Sequence, residues 1–252
     1  MNRQHSLFTI LLMIGSLSIV QAAEINAVLE WADQRELGST VSGEITRVTV
    51  RPGMSAAKGN LLLEFDQRNF KAMSNKTIAA VHSAKLLMEE AQREQDRAIE
   101  LYDRTVLSDF DRQQADIGLA KARSHYAEAR AARVTAAIEQ EQSRIVAPYN
   151  AVILDVSVGE GEVVVNENQA RVLITVARSN AMLASALVSS DQLSSVKVGQ
   201  SLEVAFRGQW RKGELYSIKP QSNGQYRMHV LFSVAKDDNA RAGEASAIRL
   251  PD

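Results

Sequence analysis

The chain has 252 residues, enough to bury a sizeable core in one or two domains, and its net charge is −1. That balance provides no overall basic field for binding nucleic acid. The sequence contains no cysteine, which excludes disulfides, zinc–thiolate sites, cysteine nucleophiles and a lipid-modified N-terminal cysteine. The four histidines do not lie at ligand spacing from one another: His5, His82, His125 and His229.

Residues 1–22 have the pattern of a secretory signal peptide. Arg3 supplies a positive charge, an apolar stretch runs from Leu7 to Val20, and Val20-Gln21-Ala22 offers small residues for cleavage. The apolar stretch is short for a membrane span, although an uncleaved anchor is the alternative. The pattern predicts export to an envelope compartment such as a bacterial periplasm.

Residues 41–63 and 149–173 read as two copies of one short β pattern. Equivalent positions lie 108 residues apart: Gly43 and Ala151, Val48 and Val156, Val50 and Val158, Gly53 and Gly161. A two-stranded unit is marginal in water, so neither half can bury its apolar face alone. The halves, residues 38–66 and 144–178, are therefore expected to fold together as a flattened barrel or sandwich.

Between the two halves, residues 67–143 predict a helical hairpin, because good helix formers dominate this segment. A heptad seam in the first helix is predicted at Phe70, Met73, Thr77, Ala80, Ala84, Leu87, Ala91, Glu94, Ala98 and Leu101. The second helix has a seam at Ala115, Leu119, Ala122, Tyr126, Ala129, Arg133 and Ala136. Ser108, with Asp111 three residues on, resembles a capping box that starts this helix.

The predicted helices, about 68–104 and 109–143, each span roughly 50 Å at ~1.5 Å per residue. Their near-equal length and short connection predict an antiparallel pair that leaves and returns to one place. The segment has 12 Lys or Arg against 12 Asp or Glu, a balance that does not favour a DNA-binding helix pair. A long arm that ends in solvent has little folding rationale unless its tip contacts a partner.

Residues 179–252 predict an antiparallel β-barrel or sandwich with one short helix, Ser190 to Ser194. Glycine-containing turns separate stretches in which apolar residues alternate: Leu202, Val204 and Phe206, then Met228, Val230, Phe232 and Val234. The strand-like segment Glu24 to Trp31 is expected to join this domain from the N-terminal side, so residues 24–37 are grouped with it.

Five short motifs stand in a characteristic order: Val41-Ser42-Gly43-Glu44-Ile45, Val50-Arg51-Pro52-Gly53-Met54, Lys58-Gly59, Ile145-Val146-Ala147-Pro148-Tyr149 and Val198-Gly199-Gln200. Each motif alone is weak, but together their order and spacing are specific. With the signal peptide and the hairpin, they resemble the HlyD-like family of periplasmic adaptor, or membrane fusion, proteins of tripartite RND-type efflux pumps. The resemblance covers nearly the whole mature chain.

The resemblance implies an elongated, multidomain α+β fold. A split lipoyl-like β-sandwich is interrupted by an antiparallel α-helical coiled-coil hairpin and followed by an antiparallel β-barrel. The structural turn residues implied for the lipoyl-like domain are Gly43, Gly53, Gly59, Pro148 and Gly161. The sequence departs from the family in three ways: Ala151 stands where Gly is usual, the lipidated cysteine is missing, and no membrane-proximal domain is expected after the barrel.

The resemblance also implies that the hairpin tip docks onto an outer-membrane channel. The family's tip pattern is Arg, then Leu four residues on, then Ser seven further, and Arg97, Leu101 and Ser108 match it. Each residue also has a purely structural interpretation. Arg97 is then a solvated charge, Leu101 the last residue of the seam, and Ser108 an N-cap.

The resemblance implies a non-enzymatic adaptor in the periplasm of a Gram-negative-type bacterium, with copies associated in a ring, a trimer or a hexamer. It would link an inner-membrane RND transporter to a TolC-type outer-membrane channel. No catalytic residue, cofactor or metal is predicted, since no Ser/His/Asp order, phosphate-binding glycine loop or paired-carboxylate site stands out. Two alternatives stay open: an adaptor of an ABC-type exporter, and an envelope coiled-coil scaffold or binding module.

Overall fold

The computed structural model describes residues 23–166, 171–235 and 238–251. The predicted signal peptide lies outside these residues. The chain forms two compact units. Of the described residues, those in Trp31–Ala181 and Val234–Asn239 form the sandwich–hairpin unit. Those in Met182–Ser233, from Ala240 onward and up to Glu30 form the barrel unit.

Two four-stranded antiparallel sheets form the β part of the sandwich–hairpin unit. One sheet has the order β2-β9-β7-β4 and the other β6-β5-β3-β8. The strands are β2 (Arg35–Gly38), β3 (Gly43–Val48), β4 (Ser55–Ala56), β5 (Leu61–Phe65), β6 (Arg144–Val146), β7 (Ala151–Val156), β8 (Val163–Val164) and β9 (Val172–Arg178). The predicted α+β architecture, with a split sandwich, a hairpin and a barrel, is confirmed.

The two copies of the β pattern exchange strands with each other. β3 pairs with β8 of the second copy, and β4 pairs with β7. The exchange is symmetric: the N–H of Gly53 donates to the Ile153 carbonyl and the N–H of Gly161 donates to the Ile45 carbonyl, both at 2.8 Å. Each half therefore completes the sheet of the other, which explains why the pattern needs both copies.

The core of the sandwich lies between its two sheets. Leu62, Phe65, Ile153 and Leu173 are fully buried there. Burial of side chains of this size stabilises the fold by roughly 1.5–3 kcal/mol each. The residues come from both copies, so the core forms only when the two halves meet.

Three of the five predicted turn residues are glycines with left-handed backbone angles: Gly53 (φ +88°), Gly59 (φ +82°) and Gly161 (φ +83°). A side chain at any of them would be strained. Pro148 lies in the bend between β6 and β7. Gly43 is not a turn residue but the first residue of β3, where a Cβ atom would come within 3.4 Å of the Phe65 ring.

The hairpin consists of α1 (Gln67–Asp103) and α2 (Asp109–Gln142), each within one residue of the bounds that the sequence predicts. Hydrogen bonds fix its base to the sandwich. The side-chain amide of Gln67 donates to the Ser143 hydroxyl (2.7 Å) and to the Phe65 carbonyl (3.0 Å). Ser143 is fully buried and its hydroxyl donates to the Gln140 carbonyl, so the two helices and β5 meet in one network.

Asp66 caps α1 at its N-terminus. Its carboxylate accepts a hydrogen bond from the Arg68 backbone N–H at 2.9 Å and also binds the Arg68 guanidinium. These hydrogen bonds, first the one from the side chain, lower the pKa of Asp66 to about 2. The cap therefore keeps its charge at any physiological pH.

The contact between the two helices agrees only in part with the predicted seam. Residues buried as predicted are Thr77, Ala84 and Ala98 on α1, and Leu119, Ala129 and Ala136 on α2. Other predicted seam positions are wrong because they are exposed: Met73, Ala80, Leu87, Glu94 and Arg133. On α1 the partly buried residues are instead the next ones along: Ser74, Val81, Met88 and Gln95.

A closed six-stranded barrel forms the other unit, in the order β1-β10-β13-β12-β11-β14. Its strands are β1 (Glu24–Trp31), β10 (Ala181–Val188), β11 (Ser201–Phe206), β12 (Gln209–Pro220), β13 (Tyr226–Ser233) and β14 (Ala245–Arg249), and one short helix is α3 (Ser190–Leu193). The core of the barrel includes the fully buried Leu29, Met182, Leu215, Met228 and Ile248.

The predicted extent of the barrel is wrong at three places, because residues 31–37, 179–181 and the described residues of 234–239 belong to the sandwich–hairpin unit. Residues 24–37 were expected to belong to the barrel, but Arg35, Glu36 and Leu37 of β2 pair with β9 of the sandwich. The division between the units falls between Glu30 and Trp31. The reason is that pairing with β9 is a long-range contact, which local alternation does not reveal.

No helix within the described part of the chain is long and apolar enough to cross a membrane.

Candidate functional site

The tip of the hairpin turns the chain within a few residues. α1 ends in a Schellman motif: the Thr105 N–H donates to the Tyr102 carbonyl (2.8 Å) and the Val106 N–H donates to the Leu101 carbonyl (3.0 Å). This motif needs a left-handed residue, and Thr105 has φ +60°. Glycine is the usual residue there, so the β-branched Thr105 stores strain at the tip.

Ser108 begins α2 as its N-cap. Its hydroxyl accepts a hydrogen bond from the Asp111 N–H (3.1 Å) and lies 2.6 Å from an Asp111 carboxylate oxygen. Asp109 and Asp111 place negative charge in the first turn, where the helix dipole favours it. The structural role anticipated for Ser108 is thus present.

Arg97 and Leu101 lie one helical turn apart, near the end of α1. The Arg97 side chain is 61% exposed, and its guanidinium pairs at 2.8 Å with Glu94, on the same helix. Leu101 is half-buried. Both residues line one groove of about 500 Å³ between the helices, together with Leu107, Asp111 and Gly118.

The structure therefore brings together two of the three predicted docking residues. Arg97 and Leu101 share the groove, whereas Ser108 is held in the turn at its end and is not part of the lining. The docking role of all three stays a prediction.

The opposite flank of the tip is closed by polar contacts between the helices. The Gln95 amide donates to the Asp116 carboxylate (2.8 Å), and Arg123 donates to Gln92 (2.7 Å). Arg112 binds Asp116 as well and lies 5.1 Å from the Tyr102 ring centroid. These contacts join the two helices along this flank, although the buried Nε atom of Arg112 has no hydrogen-bond partner among the described residues.

Two apolar residues at the apex were missed by the sequence analysis. Val106 is 71% exposed and Phe110 is 66% exposed, the highest values among the large hydrophobic residues that the structure describes. A signal for Phe110 was present, because it precedes the predicted seam of the second helix, which starts at Ala115.

No group of three or more His, Asp or Glu side chains in residues 23–166, 171–235 and 238–251 is arranged to hold a metal ion.

The model of the barrel-sandwich hybrid domain of RND membrane fusion proteins matches residues 33–176, more than half of the chain. The chain belongs to the membrane fusion protein family. These proteins are periplasmic adaptors of efflux pumps and work with transporters and outer-membrane channels. No curated protein matches the sequence.

Solved structures share the fold. A MacA–MexA chimera with the α-hairpin domain of Pseudomonas aeruginosa MexA matches 91% of this chain and 80% of its own, at 22% identity and a TM-score of 0.66. The match with the membrane fusion protein Spr0693 from Streptococcus pneumoniae covers 91% of this chain and 99% of that protein, at 14% sequence identity and a TM-score of 0.67. The match with MacA from Actinobacillus actinomycetemcomitans covers 91% of this chain and 78% of that protein, at 20% sequence identity and a TM-score of 0.58. Similarity at this identity supports the fold alone.

Proposed function

We propose that this membrane fusion protein is a non-enzymatic adaptor that links an inner-membrane RND efflux transporter to a TolC-type outer-membrane channel. The hairpin tip, with Arg97, Leu101 and Ser108, is the part that contacts the channel. Export through the predicted signal peptide places the protein in the periplasm, and several copies associate in a ring around the conduit, as a trimer or a hexamer.

The observation that carries the proposal is the surplus of exposed side chains at the tip. Val106 and Phe110 are exposed beyond any other large hydrophobic residue described, and exposed apolar surface is costly unless a partner covers it. Among the described residues, Arg97 pairs with Glu94 alone, on the same helix and at the surface, and such pairs contribute little to stability. These side chains therefore contribute little to the stability of the fold and are accessible to a partner.

The length of the hairpin supports the same proposal. At ~1.5 Å per residue, helices of 37 and 34 residues are roughly 50 Å long. The hydrogen bonds of Gln67 and Ser143 fix the base of this arm to the sandwich. A rigid base and an exposed tip suit an arm that reaches a partner at its far end.

The choice of an RND transporter rests on the family model that matches the sandwich, which is that of RND membrane fusion proteins. Co-purification from the envelope tests this choice, because the transporter that comes with the chain can be identified by mass spectrometry. An ABC-type exporter in place of an RND transporter would overturn this part of the proposal.

The docking role of the tip is tested by Arg97→Asp, with Arg93→Asp as the matched control. Arg93 is also 61% exposed and also pairs with a glutamate three residues earlier, Glu90. We expect Arg97→Asp to lower the amount of channel that co-purifies at least tenfold, a loss of about 1.4 kcal/mol, and Arg93→Asp to leave it unchanged. Equal binding by both variants would contradict the assignment. A chain that remains a lone monomer with channel and transporter present would instead favour a scaffold or binding module.

A further inference from the structure

The charge of the hairpin is balanced in total but unevenly distributed along its length. The hydrogen bond between Gln95 of α1 and Asp116 of α2 joins the two helices at one level of the hairpin, and the residues between these two positions form its tip. Beyond it, residues 95–116 contain six acidic and three basic side chains, a net charge of −3. The rest of the segment, residues 67–94 and 117–143, contains six acidic and nine basic side chains, a net charge of +3.

The three cations of the tip are already engaged within the chain. Arg97 pairs with Glu94, Arg104 pairs with Glu100 at 2.6 Å, and Arg112 pairs with Asp109 and Asp116 at 3.2 and 3.1 Å. Their positive charge is therefore neutralised locally, on the helix that carries it.

Several tip carboxylates lack such a cation. Among the described residues, Asp103 has no hydrogen-bond or ion-pair partner, and Asp96 accepts a hydrogen bond only from the neutral Gln92 amide. Both side chains are exposed. The surface around the apex is therefore negative as well as apolar.

The apolar part of this surface is formed by residues around the turn. Val106 and Phe110 are the most exposed, and Ile99 and Tyr102 are 40% and 38% exposed. Apolar residues at the centre of a contact supply most of its affinity, while charges at its rim set specificity and the rate of encounter. A complementary partner thus offers an apolar recess with a basic rim.

We infer that the apex of the hairpin, centred on Val106 and Phe110, inserts into an apolar recess at the mouth of the outer-membrane channel. The rim of this recess carries lysine or arginine side chains on the side that faces Asp96 and Asp103, neither of which lines the groove of Arg97. This inference rests on the proposed function and adds the chemistry of the partner surface. The tip of a second copy is not the occupant, because two tips with a net charge of −3 each repel one another.

The test is a binding titration of the full-length chain against the channel obtained by co-purification, held in detergent micelles, at low and high salt. The double variant Val106→Ser/Phe110→Ser removes the apolar centre. The double variant Asp96→Asn/Asp103→Asn removes two negative charges from the tip. Its matched control is Glu139→Gln/Glu141→Gln, which removes the same charge from exposed positions near the hairpin base.

We expect the apolar variant to bind at least about tenfold more weakly at every salt concentration, because the lost contact is apolar. Binding of the unchanged chain should weaken as salt rises and the Debye length shortens from about 10 Å at 0.1 M to about 3 Å at 1 M. The Asp96/Asp103 variant should associate more slowly and lose much of this salt dependence, whereas the Glu139/Glu141 control should retain it.

Different results overturn the inference and the proposed function. Binding that is insensitive to salt, or that strengthens when Asp96 and Asp103 are neutralised, would overturn the basic rim while the adaptor function stands. Full affinity in the Val106/Phe110 variant would overturn the apolar recess. A chain that captures no channel at all would overturn the proposed function and this inference with it.

Discussion

At the scale of single residues, Thr105 is the least expected feature of the tip. Glycine adopts a left-handed conformation without strain, whereas a β-branched residue does so at a cost of about 1–2 kcal/mol. Thr105 holds φ +60° because the Schellman hydrogen bonds to Leu101 and Tyr102 require it. The capping pattern at Ser108 predicts where the turn lies, but no local pattern marks a threonine as left-handed.

Replacing Thr105 by glycine should therefore stabilise the hairpin by about 0.5–1 kcal/mol, after allowing for the greater flexibility of glycine in the unfolded chain. Chemical denaturation followed by the helical circular-dichroism signal measures this. Thr135→Gly, at an exposed position inside α2, is the control and should destabilise by roughly a few tenths of a kcal/mol. Destabilisation by both substitutions would show that the turn is unstrained.

At the scale of elements, the helices could be predicted closely, but their contact only in part. The alanine positions Ala84, Ala91 and Ala98 repeat every seven residues and face α2 as expected. Thr77 is also buried as predicted, whereas Leu87, which the pattern predicts as a contact because it is apolar, is exposed. The structure turns the other flank inward instead, because the polar bonds of Gln95 to Asp116 and of Gln92 to Arg123 hold it there. A hydrophobic pattern cannot reveal a contact made by amides and charges.

Two substitutions separate the observed contact from the predicted one. Ala84 is fully buried and Leu87 is 55% exposed. Ala84→Leu should overpack the helix contact and destabilise the hairpin by about 1–3 kcal/mol, whereas Leu87→Ala should change stability by less than about 0.5 kcal/mol. If Leu87 were buried in the predicted seam, Leu87→Ala would destabilise the hairpin by about 2–5 kcal/mol. Denaturant unfolding of the full chain measures both.

In the barrel, His229 is a buried polar residue on β13. Its Nδ1 atom lies 3.0 Å from the Ser217 hydroxyl and its Nε2 atom lies 3.6 Å from the Glu30 carboxylate. Burial lowers the pKa of His229; Glu30 opposes this shift, and Lys219 and Arg227 add to it. Since the neutral ring is favoured in the folded state, the unfolded chain binds more protons in acid.

The contribution of the neutral His229 ring to the free energy of unfolding should therefore be fully present above pH ~6.5, the ordinary pKa of histidine. It should be lost as the pH falls towards and through the lowered pKa of His229. His229→Gln should flatten this dependence below pH ~6.5 in thermal unfolding experiments. A His229→Gln profile as steep as that of the unchanged chain would assign the pH dependence to other groups.

At the scale of the whole molecule, the split repeat was the part of the fold most open to prediction. The offset of 108 residues relates β3 to β7 and β4 to β8, residue for residue. The exchange of β4 and β8 between the halves could not be predicted, because two-residue strands have no readable period. The placement of β2 was missed for a similar reason, since its partner β9 lies far along the chain.

The candidate site was predicted as three residues and is wider in the structure. Arg97 and Leu101 line one groove, Ser108 caps the helix beside it, and Val106 and Phe110 form an exposed apex. Motif spacing could indicate the first three residues only. The apex depends on where the turn directs its side chains, which follows from the left-handed conformation of Thr105.

Docking of the hairpin tip onto an outer-membrane channel can be measured by site-specific crosslinking, because the chain contains no cysteine. Thr105→Cys at the apex and Ser124→Cys at an exposed position in the middle of α2 each give one unique thiol. After attachment of a photoactivated crosslinker and irradiation of intact cells, we expect a covalent product with an outer-membrane channel from Cys at position 105 and none from position 124. A channel product of equal yield from both positions, or from neither, would contradict docking through the tip.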